Sequence, residues 1–197
     1  MPMQHHIKVI SGPDIEMYIP SLARLRKTVF YEFPYLYDGS DEYEKQYLRT
    51  YTKSEKSLFV LAIDGENIVG AASGMPLEKE TAEVKQPFID KGIQIDDVFY
   101  FGESVLLPEY RGLGIGKSFI IEREKHALEQ GFHITAFCGV VRPEDHPRRP
   151  QGYRPLNGFW ESMGYNKQPD MTTRFEWQDL DESTSSPKEM VFWMKRH

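Results

Sequence analysis

The stretch Pro108-Glu109-Tyr110-Arg111-Gly112-Leu113-Gly114-Ile115-Gly116-Lys117-Ser118 stands between an apolar segment, Asp97–Leu107, and an amphipathic one, Gly114–Gln130. The first predicts a strand that stops at Pro108. The second predicts a helix with Ile120, Ala127 and Leu128 on one side and Gly131 as its stop. Three alternate glycines let the backbone turn sharply and approach a ligand without interference from Cβ atoms. The free N–H groups of the helix's first turn point outward, with the positive end of the helix dipole behind them, and that arrangement binds phosphate.

Two familiar phosphate loops do not fit. A dinucleotide fingerprint needs G-x-G-x-x-G and an acid about 20 residues further on, whereas the glycines here run G-x-G-x-G. A P-loop needs a glycine where Arg111 stands, and a magnesium-binding acid that Ile134–Val141 lacks. A ligand-free turn between strand and helix would not call for three glycines flanked by Arg111 and Lys117.

Working outward, Ile7–Ile10 predicts a first strand. Ser11-Gly12-Pro13-Asp14 opens a helix whose residues Ile15, Ile19, Leu22, Leu25 and Val29 keep near-helical spacing to Phe30. A second helix is expected over Asp41–Tyr51, its Tyr43, Tyr47 and Tyr51 sharing a core-facing stripe. Leu58–Ile63, the Asp64-Gly65 turn and Ile68–Ala72 form a hairpin signal. Glu78–Asp90 reads as a surface helix or a mobile loop. Beyond the glycine loop come a buried strand at Ile134–Val141, a Pro- and Arg-rich loop at Arg142–Pro155 and a short helix at Leu156–Met163 ending at Gly164. Arg174–Trp177 and Met190–Lys195 close the chain as strands around the polar connection Asp179–Lys188. The hairpins imply antiparallel pairs, so the expected sheet is mixed.

The bulk numbers narrow the function. A chain of 197 residues with 40% hydrophobic and 27% charged residues fits one domain, 1–197. A net charge of −6 argues against a general nucleic-acid binder. Cys138 is the one cysteine, so no intrachain disulfide is available. No leader-like apolar segment opens the chain, and no run reaches the ~18 apolar residues of a membrane span. The expectation is a cytoplasmic protein, monomer or homodimer, without nucleic-acid or membrane partners. The histidines lack metal-ligand spacing, so no metal is expected.

Arg111-x-x-Gly114-x-Gly116 resembles the Q/R-x-x-G-x-G/A signature of the GNAT superfamily of coenzyme A-dependent N-acyltransferases. Val105-Leu106-Leu107-Pro108-Glu109-Tyr110 is similar to that family's strand end. Phe159-Trp160-Glu161-Ser162-Met163-Gly164-Tyr165 resembles its F-Y-E-K-x-G-F segment, and Asp64-Gly65 with Val69-Gly70-Ala71 its paired strands. The resemblance covers most of Ile7–Tyr165. It implies an α/β (α+β) fold with a mixed, mostly antiparallel central sheet, splayed strands and helices on both faces.

The resemblance further implies acetyl-CoA, a coenzyme A thioester, as co-substrate and an amine as acceptor. The pyrophosphate would lie on the backbone N–H groups of Gly112, Leu113, Gly114, Ile115, Gly116 and Lys117, with Arg111 and Ser118 also among the coenzyme-binding residues. The pantetheine arm would run beside Ser104, Val105, Leu106 and Leu107, which requires Asp97–Leu107 and Ile134–Val141 to diverge near Leu106. An acceptor ammonium with a pKa near ~10 must lose a proton before it attacks, so a general base is expected. Glu103, among Phe99, Phe101, Val105 and Leu106, is the candidate; the alternative is a carboxylate held in an ion pair. Trp160 occupies the place of the family's thiolate-protonating tyrosine, leaving Tyr153 and Tyr165 as substitutes by proximity. Cys138 reads as an apolar filler rather than a nucleophile. Arg142, Arg148, Arg149, Arg154 and His146 either draw an acidic group of the acceptor or coenzyme, or form a solvated loop. A non-catalytic acyl-CoA sensor of the same fold, or a nucleotide-binding P-loop protein, would be the competing functions.

Overall fold

The computed structural model describes residues 5–197; Met1–Gln4, which begin the segment read for a leader, lie outside the described residues. Strand β1 (His5–Ser11) leads through a 3-10 stretch, Gly12–Tyr18, into α1 (Ile19–Phe30) and α2 (Asp41–Thr52). The α-helix starts later than the apolar spacing suggests because Pro20 lies in its first turn. Proline has no N–H to give, so it fits a helix start and not an interior. The hairpin β2 (Leu58–Asp64) and β3 (Asn67–Pro76) follows, then α3 (Ala82–Asp90). This last segment is a helix that buries Val84 and Phe88.

The apolar segment before the glycine loop is two short strands, β4 (Val98–Tyr100) and β5 (Ser104–Leu106). After them come α4 (Ile115–Glu129), β6 (Ile134–Val140), α5 (Asn157–Ser162), β7 (Asn166–Trp177) and β8 (Ser186–Arg196). The sheet order is β1-β2-β3-β4-β6-β8-β7, with β5 also paired to β3. Among the described residues only β4 and β6 run parallel; every other strand pair is antiparallel. The mixed, mostly antiparallel sheet expected from the sequence is therefore the one observed.

Alternation along the strands sorts the core onto two faces. Phe59, Leu61, Ala71 and Val105 face α1 and α2, where Ile19, Leu22, Leu48 and Tyr51 cover them. Leu58, Val60, Phe99 and Phe101 face Ile115, Phe119 and Ile120 of α4. Val84 and Phe88 of α3 pack on Val98, Tyr100, Ala136 and Phe192. In α2 the buried face is Glu44, Leu48 and Tyr51, while Tyr43 is exposed. Of the expected tyrosine stripe, Tyr51 is fully buried and Tyr47 packs against the core, and only Tyr43 lies outside it.

Candidate active site

The two halves of the strand before the glycine loop part company with β6. Val98, Phe99 and Tyr100 pair with Ile134, Thr135 and Ala136, and Phe101 N–H gives the last bond, 2.8 Å, to Ala136 O. Beyond it β5 pairs with Gly70–Ala72 of β3 alone, and β6 continues to Val140 against β8. The divergence begins at Phe101 and not near Leu106. The cause is local: Ser73 N–H bonds Glu103 O at 2.9 Å and Ser73 Oγ takes the Glu103 N–H at 3.1 Å, so this turn of chain is tied to β3. Arg123 of α4, laid over the Phe101 ring, donates to Ser73 O at 3.1 Å and Glu103 O at 3.2 Å. Its Nη2 also reaches Ser104 Oγ, at 2.8 Å. Burial lowers the Arg123 pKa to about 10, and the guanidinium serves as the donor that satisfies carbonyls at the break.

The free edge of β5 leads directly into the loop. Among the described residues, none of the amides from Gly112 to Lys117 donates a hydrogen bond; the first main-chain bond of α4 is Ser118 N–H to Gly114 O, 3.1 Å. Gly112 and Gly114 hold φ of +80° and +83°, the left-handed region in which only glycine is comfortable. Gly114 is also the N-cap of α4, and no side chain caps that end. Six neighbouring N–H groups are thus left without an internal acceptor at the positive end of a helix of 15 residues. Lys117 is exposed beside them. Arg111 turns its guanidinium back, with Nε and Nη2 on Leu106 O at 3.1 and 3.0 Å and Nη2 on Glu32 at 2.9 Å.

Glu103 lies at the root of the divergence, buried on the α1–α2 face. Arg26 of α1 bonds both Glu103 Oε2 and Glu44 Oε2 of α2. Glu103 Oε1 is buried with no hydrogen-bond partner. The ion pair weighed for this carboxylate at the sequence level is present, with one oxygen left over. Tyr153 is half-buried, edge-on to Phe33 at 4.8 Å, and burial pushes its hydroxyl up. Its hydroxyl makes no hydrogen bond among the described residues. Tyr165 is sealed in the core with its hydroxyl on Thr135 Oγ1 at 2.8 Å. Trp160 stacks between Phe137 and Trp193, 5.0 and 5.1 Å away. The Cys138 thiol, 3.1 Å from the Tyr100 hydroxyl, is pushed up to about 12 by burial, which leaves no thiolate for attack at neutral pH.

The basic loop divides. Arg142 is an anchor: it meets Asp179 through two bonds of 2.7 and 2.9 Å and donates to Pro34 O and Tyr35 O. It thereby ties the α1–α2 connection to the end of β6. Phe33 of that connection packs on Tyr153 and His146. Arg148 and Arg154 remain exposed. Sequence reasoning missed Arg26, Glu44 and Arg123. Arg26 and Glu44 were visible as charged residues on the apolar face of an amphipathic helix, where a charge needs a buried partner, whereas α4 has apolar residues on both sides and gives no such signal for Arg123. It also missed Glu80, whose half-buried carboxyl is pushed up by burial. Among the described residues no group of three or more His, Cys, Asp or Glu is placed to hold a metal ion. No described helix is long and apolar enough to cross a membrane.

Residues 21–150 match a family model described as the Acetyltransferase (GNAT) family. No curated protein matches the chain by sequence. Solved structures share its fold at low identity. Ribosomal-protein-alanine N-acetyltransferase from Brucella melitensis superposes with a TM-score of 0.64 at 15% identity, covering 98% of this chain and 99% of that one. An N-acetyltransferase from Staphylococcus aureus Mu50 gives 0.63 at 8% identity, with 98% of each chain covered. The protein yncA from Salmonella typhimurium, solved with its cofactor acetyl-CoA, gives 0.59 at 7% identity over 98% of this chain and 93% of its own.

Proposed function

The chain belongs to the GNAT acetyltransferase family, and from that premise we propose that it moves an acetyl group from acetyl-CoA to a primary amine. The observation that carries this reading is the run of unpaired amides from Gly112 to Lys117, continuous with the free edge of β5. The amides suit a pyrophosphate, with Ser118 and the charge of Lys117 beside them, whereas Arg111 is engaged by Leu106 O and Glu32. The edge of Ser104–Leu107 suits the amide-bearing pantetheine arm, bound as a strand would be. A main-chain N–H in this stretch stabilises the thioester oxygen as charge develops on it.

In this reading Glu103 Oε1 accepts the proton of the acceptor ammonium. The neutral amine nitrogen then attacks the thioester carbonyl carbon, gives up its second proton to water, and the carbon–sulfur bond breaks as the amide forms. The thiolate takes its proton from Tyr153 or from water. The test is free-thiol release with a panel of amines, followed by pH–rate profiles of wild type and Glu103→Gln. The variant should keep coenzyme affinity and lose ~10²–10⁴ in kcat, the usual worth of a general base. The loss should shrink at high pH, where more acceptor is already neutral. An identical profile and kcat would remove Glu103 from catalysis. A raised KM with kcat preserved would make it a binding group instead.

A second reading, an acyl-CoA sensor without turnover, draws on Trp160, which sits where the family resemblance calls for a tyrosine. Tight acetyl-CoA binding with no thiol release across the amine panel would favour it.

A further inference from the structure

We propose that Glu44 and Arg26 are positioning residues for the transfer step. Glu44 draws Arg26 aside so that Glu103 keeps Oε1 free for an N–H of a protonated amine. The inference rests on the reading of Glu103 as the base.

A guanidinium ordinarily meets one carboxylate through two parallel N–H···O bonds. Arg26 does not. It gives Nε to Glu44 Oε2 and Nη1 to Glu103 Oε2, one arm to each acid. The Phe30 and Tyr47 rings, 4.9 and 4.4 Å from its carbon Cζ, hold the guanidinium between them. Divided in this way, it leaves Glu103 Oε1 buried and unpartnered, while the Glu44 carboxylate faces the Tyr37 hydroxyl. Buried polar atoms are nearly always satisfied, so the orphan oxygen of Glu103 calls for an explanation.

Charge points the same way. Two carboxylates share one guanidinium on this face of the sheet. Arg123 approaches from α4, on the other face, and gives its N–H groups to the Phe119, Ser73 and Glu103 carbonyls and to Ser104 Oγ, none to a carboxylate. Lys27 is engaged with Asp41. One further positive charge bearing N–H donors completes the cluster, and a primary ammonium is that chemistry. Because Oε1 of Glu103 is screened from solvent, a contact made there is stronger than it would be in water.

The test is Glu44→Gln. A neutral amide no longer competes for Arg26, which closes on Glu103 with both arms and masks Oε1. Turnover (kcat) should fall by roughly 10- to 100-fold, the scale of a misplaced reacting group. Acetyl-CoA binding should be kept, and the melting temperature should hold or rise, since one uncompensated buried charge is gone. Adding Arg26→Gln to Glu44→Gln removes the masking arms, and kcat should recover above that of the single variant. If that pair does not fold, Arg26→Lys with Glu44→Gln asks the same question, because an ammonium is not a fork. A packing role predicts the reverse order, each added change lowering both stability and turnover. Wild-type kcat in Glu44→Gln, or a further fall in the double variant, would overturn the inference while leaving the acetyl-transfer reading intact. A wild type that binds acetyl-CoA and acetylates no amine would overturn both.

Discussion

Gly102 is the residue on which the break between β4 and β5 turns. A Cβ there would lie 2.1 Å from the Tyr51 hydroxyl and 2.8 Å from Ser73 Oγ. Tyr51 has no room to yield, being fully buried with its hydroxyl bonded to both Tyr47 and Ser73. Gly102→Ala should therefore cost about 1–3 kcal/mol, as overpacking does, read from the urea midpoint. Tyr51→Phe removes the obstructing oxygen, so the same glycine change should cost less in that background. Equal costs in the two backgrounds would contradict the close-approach account. At this scale the sequence was partly legible. The glycine loop could be read because its chemistry is contiguous: Arg111, Gly112, Gly114 and Gly116 are neighbours in the chain. Glu103 could be singled out as a carboxylate in an apolar strand. Its partners could not, because Arg26 and Glu44 lie 77 and 59 positions away and only the packing of α1 and α2 on β5 unites them.

Elements were legible where their burial is one-sided. The β2–β3 hairpin, α4 and β6 stand close to where period and turn residues put them, except that Leu128 of α4, expected beside Ile120 and Ala127, is exposed while Arg123 takes a place on the buried side. Strand β7 begins at Asn166, eight residues before the expected Arg174, although Asn166–Asp170 is polar and contains Pro169. It is the edge of the sheet, where neither feature is penalised. The β7–β8 connection is held by side chains instead. Lys188 bonds Glu182 at 2.8 Å, and Glu182 also accepts from Asp179 N–H and Ser186 Oγ. These contacts, Lys188 foremost, hold the Glu182 carboxyl down at about 2. A carboxyl lowered on folding contributes stability above its unfolded value, near ~4.3, and loses it as pH falls toward the folded value. Wild type should therefore lose thermal stability between about pH 5 and pH 2 more steeply than Glu182→Gln. Parallel acid-unfolding curves would exclude this anchor. Because Arg142 and Asp179 continue the same network to Pro34 and Tyr35, loosening it should also be felt in the α1–α2 connection that walls the proposed acceptor side.

On the scale of the whole molecule, the sheet is two leaves joined by one short strand. The strands β1, β2, β3 and β5 form one leaf and β6, β8 and β7 the other, with Val98–Tyr100 as the shared element. Past Tyr100 the leaves separate, and the opening has two distinct ends. The loop of unpaired amides and α4 stand at one end, where a phosphate chain fits. The Arg26–Glu44–Glu103 cluster, with the α1–α2 connection beyond it, lies on the opposite face, toward which an amine would come. In the proposed function, coenzyme and acceptor would meet at one break in the sheet from different sides, as direct transfer needs.

The measurement that bears most directly on this account is the thermal shift given by acetyl-CoA in wild type, Gly114→Val and Gly116→Ala. A ligand that binds only the native state adds about 2.7 kcal/mol at 100-fold excess over its Kd, so the wild type should be clearly stabilised. Gly114 holds a φ of +83°, so valine there distorts the loop at its free amides. The added Cβ of Gly116 meets only the Phe159 ring, at 3.6 and 3.8 Å. Gly114→Val should unfold cooperatively with no acetyl-CoA shift, and Gly116→Ala should keep the shift of the wild type. A wild-type shift retained in folded Gly114→Val, or no shift in the wild type itself, would contradict the account.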